Sequence, residues 1–281
     1  MSAIDDQLDF ERRRSPLAVA GACLGAVLPL AGGVAVASTL NDQPKNTSGR
    51  LLFIHDHSGK FILFSVLLGL GAIALSAPLY FLYSATKARK PSLPRVAMFC
   101  ALFGPLVYGI VQVGLQLVLV NKAATFADPA HGNQTYEEAK HVFSSGPVRF
   151  FQFLGLAAQL SLGFAFVIIS LNAMRAGLLT KFMGILGIIV GVLFVVPLAP
   201  GPPIIQSFWL GALAALFAGR WPRGVPPAWI TGKAEPWPSQ QALREQREAA
   251  LEPEPAPAAA TPASAGRGSS ASRKRKRKKR H

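Results

Sequence analysis

The sequence has few charged residues and almost no cysteine. Asp, Glu, Lys and Arg make up 15% of its 281 residues, whereas ordinary soluble domains carry about 25%. Together with 51% hydrophobic residues and a mean hydropathy of +0.34, this deficit indicates a large surface that does not face water. The two cysteines, Cys23 and Cys100, lie in apolar stretches. We expect them to be small buried hydrophobic residues, because neither a disulfide framework nor a metal-type spacing is present.

Several motifs that would indicate catalysis or ion coupling are also missing. The sequence contains no phosphate-binding P-loop, no His-Glu-x-x-His zinc motif and no Gly-x-Ser-x-Gly nucleophile elbow. Its apolar stretches contain no ionisable acid, base or histidine, which are the residues that proton relays, ion pumps and voltage sensors use. These absences argue against an ion-coupled transporter and against an enzyme, and they imply no cofactor.

Six long apolar stretches contain no Asp, Glu, Lys, Arg or His. About 20 residues are needed to cross roughly 30 Å of hydrocarbon, and a chain in lipid must satisfy its backbone hydrogen bonds within each helix. The sequence therefore predicts an all-α fold, a polytopic bundle of about six transmembrane helices at 16–39, 61–85, 96–121, 150–172, 182–198 and 203–219. The last two stretches are short and are joined by Pro200-Gly201-Pro202-Pro203, which also fits a tight hairpin or a partial re-entrant pair.

Lys and Arg are distributed unevenly between the two sides that six spans would create. The side with both termini holds 23 of them and the other side holds 6. Because positive residues are retained inside, both termini are predicted to be cytoplasmic, and the residue usage points to a bacterial cell (inner) membrane. The first span ends near Ala35-Val36-Ala37 and also resembles a cleavable signal peptide, whose removal would leave five spans.

The chain outside the spans divides into three parts. Residues 1–15 form a short cytoplasmic flank, and 220–251 are a juxtamembrane segment in which Trp221, Trp229 and Trp237 alternate with prolines. Tryptophans in that position are typical of membrane-interface anchors. A short helix is predicted at Ser239–Leu251. Residues 252–281 are rich in Pro, Ala, Ser and Gly and are predicted to be a disordered linker and tail, because they cannot bury enough apolar surface to offset their ordering entropy.

The tail ends in a run of eight basic residues. Without this run the net charge falls from +15 to +7, so the high pI describes the tail and some loops. The simplest interpretation is contact with anionic lipid headgroups on the cytoplasmic surface. Contact with RNA, DNA or an acidic protein is the alternative, although no aromatic residue is interleaved for base stacking, and an inert solubilising end is another. The run consists of Arg273, Lys274, Arg275, Lys276, Arg277, Lys278, Lys279 and Arg280.

Small residues recur at four-residue spacing within three spans. This spacing lets helix backbones approach closely, so it predicts packing inside the bundle, with a homo-oligomer interface as the alternative. The glycines concerned are Gly21, Gly25 and Gly33 in the first span, Gly187 and Gly191 in the fifth, and Gly211 and Gly219 in the sixth.

Polar side chains lie on one face of the third and fourth spans. Tyr108, Gln112 and Gln116 follow at four-residue spacing, and Gln152 and Gln159 are seven apart. Unpaired amides are costly in hydrocarbon, so both faces are expected to turn inward and to form hydrogen bonds. They either join the two spans or line a cavity for a polar or amphiphilic ligand. Pro78 and Pro105 would kink the helices beside them and help to open such a cavity.

Four of the five histidines fall on the predicted outer side. His55 and His57 precede the second span, and His131 and His141 lie in the third loop with several carboxylates. Imidazole and carboxylate are suitable zinc ligands, so a metal site is one interpretation. The others are polar loop residues near lipid headgroups and a pH-sensing or catalytic role.

One segment carries a family resemblance. Residues 172–219 place a short basic turn, Met174-Arg175-Ala176-Gly177, before the Gly-rich run Gly184-Ile185-Leu186-Gly187-Ile188. This layout resembles small multi-span membrane proteins of high-GC bacteria of the domain-of-unknown-function type. The resemblance implies a multi-span fold and no activity.

Three functions remain open from the sequence. The first is a non-enzymatic structural or interaction component of the cell envelope, embedded in the bilayer. The second is an uncoupled transporter or amphiphile-binding protein that uses the glutamine faces. The third is a metal-dependent membrane enzyme with an outward His/Asp site.

Overall fold

The computed structural model describes residues 3–196, 203–222 and 224–235, and within these ranges the chain is helical with no strand. This confirms the predicted all-α class. The described parts contain ten α-helices and one 3₁₀ turn at Pro129–His131: α1 Ala3–Asn41, α2 Thr47–Asp56, α3 Ser58–Ala74, α4 Ser76–Arg89, α5 Val96–Ala127, α6 Tyr136–Phe143, α7 Gly146–Arg175, α8 Lys181–Val195, α9 Ile204–Phe217 and α10 Pro227–Thr231.

Four helical segments are long and apolar enough to cross a membrane. They are Ile4–Asn41, Ser58–Arg89, Val96–Ala127 and Gly146–Arg175. The apolar helices α8 and α9 have 15 and 14 residues. At 1.5 Å per residue they are about 22 and 21 Å long, which is less than the roughly 30 Å of bilayer hydrocarbon. The predicted helix at 239–251 and the tail at 252–281 lie outside the described residues.

The helices extend beyond the apolar stretches that predicted them. α1 begins at Ala3, thirteen residues before the apolar run, and has Asp5 and Asp6 in its first turn. Acidic residues there are favourable because they face the positive end of the helix dipole. The two predicted outer loops contain the short helices α2 and α6. A charged residue ends contact with hydrocarbon, but it does not end a helix.

The main helices form a ring in which neighbours run antiparallel. Contacts link α1 to α3, α3 to α5, α5 to α7, α7 to α8, α8 to α9, and α9 back to α1. Two hydrogen bonds show the direction of the closing pair. Ser15 Oγ donates to the carbonyl oxygen of Phe217 at 2.6 Å, and Ser207 Oγ donates to that of Ala26 at 2.8 Å. The start of α1 therefore lies beside the end of α9.

The two ends of this ring differ in what covers them. We call the end that holds Glu11, Arg89 and Phe217 the Arg89 end, where most of the fully buried side chains, including Leu82 and Leu178, lie. We call the opposite end the α6 end. There α2 and α6 pack over the last turns of α5, and Leu51, Ala123 and Ala139 are completely buried between them.

Glycine pairs set the closest helix approaches. A Cβ added to Gly69 would lie 2.7 Å from the carbonyl oxygen of Gly109, and one added to Gly109 would lie 2.5 Å from that of Gly69. Gly163 and Gly191 make the same reciprocal contact between α7 and α8, at 2.7 and 2.8 Å. Any side chain at these positions would push the two backbones apart, so glycine is required for the observed spacing.

The glycines singled out from the sequence occupy two kinds of place. Gly21 and Gly25 of α1 abut α3 and α4 at Ala74 and Leu75, and Gly187 and Gly191 of α8 abut α7. Gly33 is buried in α1. The prediction of packing inside the bundle is wrong for the remaining two, Gly211 and Gly219, whereas the alternative of a homo-oligomer interface stays a prediction. Gly211 is exposed with nothing within 4 Å of an added Cβ, and Gly219 has φ +70°, which ends α9.

A single residue, Leu75, separates α3 from α4. Pro78 has no N–H, so the carbonyl of Ala74 four residues earlier loses its helical partner, and the ladder is interrupted there. Gly21 of α1 fits against this point, because a Cβ on it would lie 2.7 Å from the Ala74 carbonyl oxygen. Beyond the break, α4 contacts α1, α5 and α7. The interruption therefore brings α4 against three helices at the Arg89 end.

A capping box begins α6. The side-chain oxygen of Thr135 accepts from the N–H of Glu138, and a Glu138 carboxylate oxygen accepts from the N–H of Thr135 at 3.1 Å. A second carboxylate oxygen accepts from the N–H of Asn133 at 3.4 Å. These backbone donors, that of Thr135 above all, hold the pKa of the Glu138 carboxyl below its ordinary value of 4.5, because they stabilise its charged form.

Candidate functional site

The predicted polar row on α5 lies beside the end of α8. The rings of Tyr108 and Phe194 pack at nearly right angles, with centroids 6.2 Å apart. Gln112 and Gln116 follow at one-turn intervals toward the α6 end, and both are half-buried. Nε2 of Gln116 is inaccessible to solvent and has no hydrogen-bond partner in the described part of the chain. The row therefore includes one buried amide donor that is unpaired among the described residues.

Gln159 of α7 closes the end of α8. Its Nε2 donates to the carbonyl oxygen of Phe194. α8 ends at Val195, and the last four carbonyls of a helix have no intrahelical donor. An unpaired carbonyl in an apolar environment is costly. Gln159 thus supplies the hydrogen bond that lets α8 stop where it does.

Gln152 does not turn inward, so that prediction is wrong. Its side chain is exposed, whereas Gln159 on the same face of α7 is half-buried. The difference follows from depth along the bundle. α8 ends at the level of Gln159, and Gln152 lies seven residues, about 10 Å, nearer to the start of α7. Two residues on one helical face therefore have different neighbours.

The histidines do not form a site within the described residues. His55 and His141 are exposed, and His57 Nδ1 lies 3.1 Å from the carbonyl oxygen of Phe53 with its ring against the Phe53 ring at 4.3 Å. No group of three or more His, Cys, Asp or Glu side chains that could hold a metal is present among the described residues. The side chain of His131 lies outside what is described. Cys23, expected to be buried, is exposed, and Cys100 is half-buried.

A second polar centre, which we did not predict, lies at the Arg89 end. Nη1 and Nη2 of Arg89 lie 2.5 and 3.0 Å from the two carboxylate oxygens of Glu11. Nη1 also donates to the carbonyl of Ala85, and Nε to that of Ala228 at 2.9 Å each. The Arg89 side chain is 0% exposed and that of Glu11 is 6% exposed. This geometry joins α1, α4 and α10 through one guanidinium.

Trp229 of α10 completes this centre. Its ring stacks on Phe81 with centroids 5.6 Å apart, and the Arg89 guanidinium lies over it at 5.4 Å. The Trp229 ring also packs edge-to-face with the ring of Phe217, and its Nε1 donates to the carbonyl of Leu178 at 3.0 Å. A cation over a tryptophan face is attractive, most of all away from water. The segment that follows α9 is therefore fastened to the end of the bundle.

The sequence patterns did not predict this polar centre. Arg89 shares one short basic segment with Lys87, Lys90 and Arg95, and such a segment between two apolar stretches predicts loop cations. Lys90 does reach across the bundle end, donating to Oδ1 of Asn172 at 2.8 Å. The useful signal was Trp229 beside Pro226 and Pro227, which marked a segment held near the last span.

The polybasic run Arg273–Arg280 and Trp237 lie outside the described residues, so their predicted lipid contact stays a prediction. Comparisons with family models, with curated proteins and with solved structures found no match for this chain. Its function therefore has to be argued from the chain itself.

Proposed function

We propose that this chain is a multi-pass protein of the bacterial cell membrane that acts as a structural or interaction component of the cell envelope rather than as an enzyme. The observation that carries the proposal is the set of four helical segments long and apolar enough to cross a membrane, packed in one antiparallel bundle. Large apolar side chains such as Phe103, Phe153 and Ile110 are more than half exposed on it, which suits hydrocarbon and not water.

We further propose that α8 and α9 complete six spans with both termini on the cytoplasmic side. The α8–α9 pair supports this count, because α9 packs beside α1 and the end of α9 lies next to Ser15. Gln159 supplies a partner for a carbonyl at the end of α8, so a helix shorter than the hydrocarbon is tolerated. Most of the Lys and Arg in the described ranges lie at the Arg89 end, as they do on the inner side of a membrane protein.

A non-catalytic role is supported by what the polar groups do. Arg89 pairs with the Glu11 carboxylate, and Arg89 and Trp229 donate to the backbone carbonyls of Ala228 and Leu178 across the bundle end. Ser207 and Trp209 likewise donate to carbonyls of neighbouring helices. Polar side chains that bond between helices hold the helices in a fixed arrangement. A fixed arrangement suits a protein whose surface is bound by partners.

The surface that this arrangement presents is basic. Exposed cations at the Arg89 end include Arg12, Arg13, Arg14, Arg95, Arg175, Lys181 and Arg220. With the polybasic run at 273–280 they would attract anionic headgroups, at roughly 1 kcal/mol for each residue near the surface. We therefore propose anionic lipid as the partner of the tail.

Topology mapping tests the membrane assignment. In a variant with Cys23 and Cys100 replaced by Ala, a single cysteine is placed at Ser92 or at Glu137, both exposed and at opposite ends of the bundle. The chain is expected to resist alkaline extraction of membranes. In intact cells a membrane-impermeant maleimide is expected to label Glu137→Cys but not Ser92→Cys. Release by alkali, or the reverse labelling, contradicts the proposal.

Lipid binding by the tail is tested with a peptide of residues 252–281. It is expected to bind vesicles containing about one third phosphatidylglycerol and to dissociate as salt is raised, because surface charge is screened. A control peptide lacking residues 273–280 is expected to stay free. Equal binding of the two peptides excludes the basic run as a lipid contact.

A further inference from the structure

The first turns of α1, which precede its apolar run, are held against the Arg89 end by one helical face. A Cβ added to Gly232 at the end of α10 would lie 2.6 Å from Cγ2 of Ile4 and 3.7 Å from Cγ of Leu8. One turn farther along, Glu11 forms its buried pair with Arg89. These contacts fix the rotation of the helix about its axis, so the face that points away from α10 has a defined direction.

A cavity of about 380 Å³ lies against this outer face of α1. The described residues that line it are Asp6, Asp9, Phe10, Arg13 and Arg14. The side chains of Asp6, Arg13 and Arg14 are exposed, and the Arg14 guanidinium lies 5.5 Å from the centre of the Phe10 ring. The cavity therefore offers two carboxylates and two guanidiniums, all within reach of an occupant, and such a lining suits a molecule that carries charges of both signs.

The charges of the lining follow a definite order along the helix. Arg13 lies three residues before Pro16, where the apolar run begins, whereas Asp9 and Asp6 lie about 6 and 10 Å farther from that run than Arg13 does. The headgroup layer of one leaflet is about 5–8 Å thick. With the apolar run in the bilayer, the guanidiniums lie on the hydrocarbon side of this layer and the carboxylates on its water side.

This order is that of a phosphoethanolamine headgroup. Its phosphate adjoins the acylated glycerol, and its ammonium group extends beyond the phosphate. Arg guanidiniums bind phosphate oxygens through paired N–H donors, and an ammonium group has three N–H donors for carboxylates. An anionic headgroup without the ammonium would meet the same guanidiniums but would leave the two carboxylates facing a negative charge.

The outer face of α1 continues into the lipid-facing surface of the same helix. Leu17 follows Arg13 by four residues, and Leu24 and Val27 continue the row at helical spacing. Their side chains are between 49% and 61% exposed. Acyl chains joined to a head in the cavity would lie along these side chains, whereas free phosphoethanolamine would gain nothing from them. The continuity favours a membrane lipid over a soluble ligand.

We propose that the outer face of the first turns of α1 binds the head of a phosphatidylethanolamine molecule from the cytoplasmic leaflet. Arg13 and Arg14 bind its phosphate, and Asp9 and Asp6 accept hydrogen bonds from its ammonium group. The two carboxylates distinguish this site from the other exposed cations at the Arg89 end, which attract anionic lipid. The inference rests on the membrane placement in the proposed function and names a lipid for one site.

The test uses the full chain in phosphatidylcholine nanodiscs that contain a trace of phosphatidylethanolamine with a diazirine in its acyl chain. Irradiation is expected to label α1 between Leu17 and Val27, and excess unlabelled phosphatidylethanolamine is expected to suppress this labelling. Asp6→Asn combined with Asp9→Asn is expected to reduce the labelling at least fivefold. Asp42→Asn is the matched control, because Asp42 is exposed just beyond the other end of α1, and it is expected to leave the labelling unchanged.

The guanidiniums are tested in the same way. Arg13→Gln combined with Arg14→Gln is expected to reduce the labelling at least fivefold. Arg12→Gln is its control, because Arg12 is exposed in the same turn but is not among the described residues that line the cavity, and it is expected to have no effect.

Three results would overturn the inference. They are labelling that the two aspartate replacements leave unchanged, suppression by phosphatidylglycerol as strong as that by phosphatidylethanolamine, and equally strong suppression by soluble phosphoethanolamine. The second would show a site for phosphate alone, and the third a site for a soluble ligand. Any of them in a correctly inserted chain leaves the proposed function intact, whereas failed insertion contradicts the proposed function itself.

Discussion

Arg89 and Glu11 form a two-pronged ion pair across 78 positions of the chain, with N–O distances of 2.5 and 3.0 Å. Both side chains are almost completely removed from water. A buried pair of this kind adds little net stability compared with apolar residues, but losing one partner leaves an unpaired buried charge. The consequence is a strong coupling between the start of α1 and the end of α4.

Single substitutions at this pair are expected to be costly. Arg89→Met or Glu11→Leu alone should each lower the free energy of unfolding by about 3–5 kcal/mol, because each leaves the other charge unpaired. The free energy of unfolding of the double variant should fall by clearly less than the sum of the two single losses. Arg89→Lys should not restore the loss, since an ammonium cannot make the forked contact. The free energies of unfolding of the unmodified chain, both single variants and the double variant, measured in mixed micelles, form a double-mutant cycle. Strictly additive losses would show that the two residues are not coupled.

Trp229 is expected to hold the segment after α9 in place. Trp229→Ala removes the stacking on Phe81, the contact with Arg89 and the hydrogen bond to Leu178, so we expect a loss of about 3 kcal/mol. Trypsin should then cut faster after Lys233. Ile230→Ala is the control, because its side chain is 67% exposed. Equal cleavage rates in the two variants would contradict the fastening role.

Adding one methyl group should have opposite effects at two glycines. Gly109→Ala places a Cβ 2.5 Å from the Gly69 carbonyl oxygen, and such overpacking typically costs about 1–3 kcal/mol. Gly211→Ala meets nothing within 4 Å and should gain up to about 1 kcal/mol from helix propensity. Thermal unfolding of both variants in one detergent measures the difference. A change in stability of the same sign in both variants would contradict the close α3–α5 contact.

The capping box of α6 should depend on pH. Because folding lowers the pKa of Glu138, its contribution to stability is complete above the ordinary value of 4.5 and is lost as pH falls through the lowered value. Glu138→Gln can still cap the helix but cannot titrate. Protease protection of α6 should therefore fall at acidic pH in the unmodified chain only. A parallel fall in the variant would show that another group is responsible.

Long-range composition predicted the class of fold well. Runs without ionised side chains can lie in hydrocarbon, and lipid forces the backbone into helices, so the helical architecture and its long apolar segments followed from the sequence. Helix ends were predicted less well, because α1, α5 and α7 continue past the last apolar residue. The candidate sites were predicted least well, since a row on one face says nothing about what lies opposite it.

The amino-acid pattern alone predicted that this chain is helical and that its charges lie at the ends of its apolar segments, because both follow from the cost of moving side chains and backbone out of water. Which polar groups are paired depends instead on how the folded helices lie against one another. Gln152 and Gln159 share a face of α7, yet only Gln159 has the end of α8 beside it. Gly191 and Gly211 both belong to small-residue patterns, yet only Gly191 touches the backbone of a neighbouring helix. These differences arise from neighbours that are distant in the chain, and local patterns do not encode them.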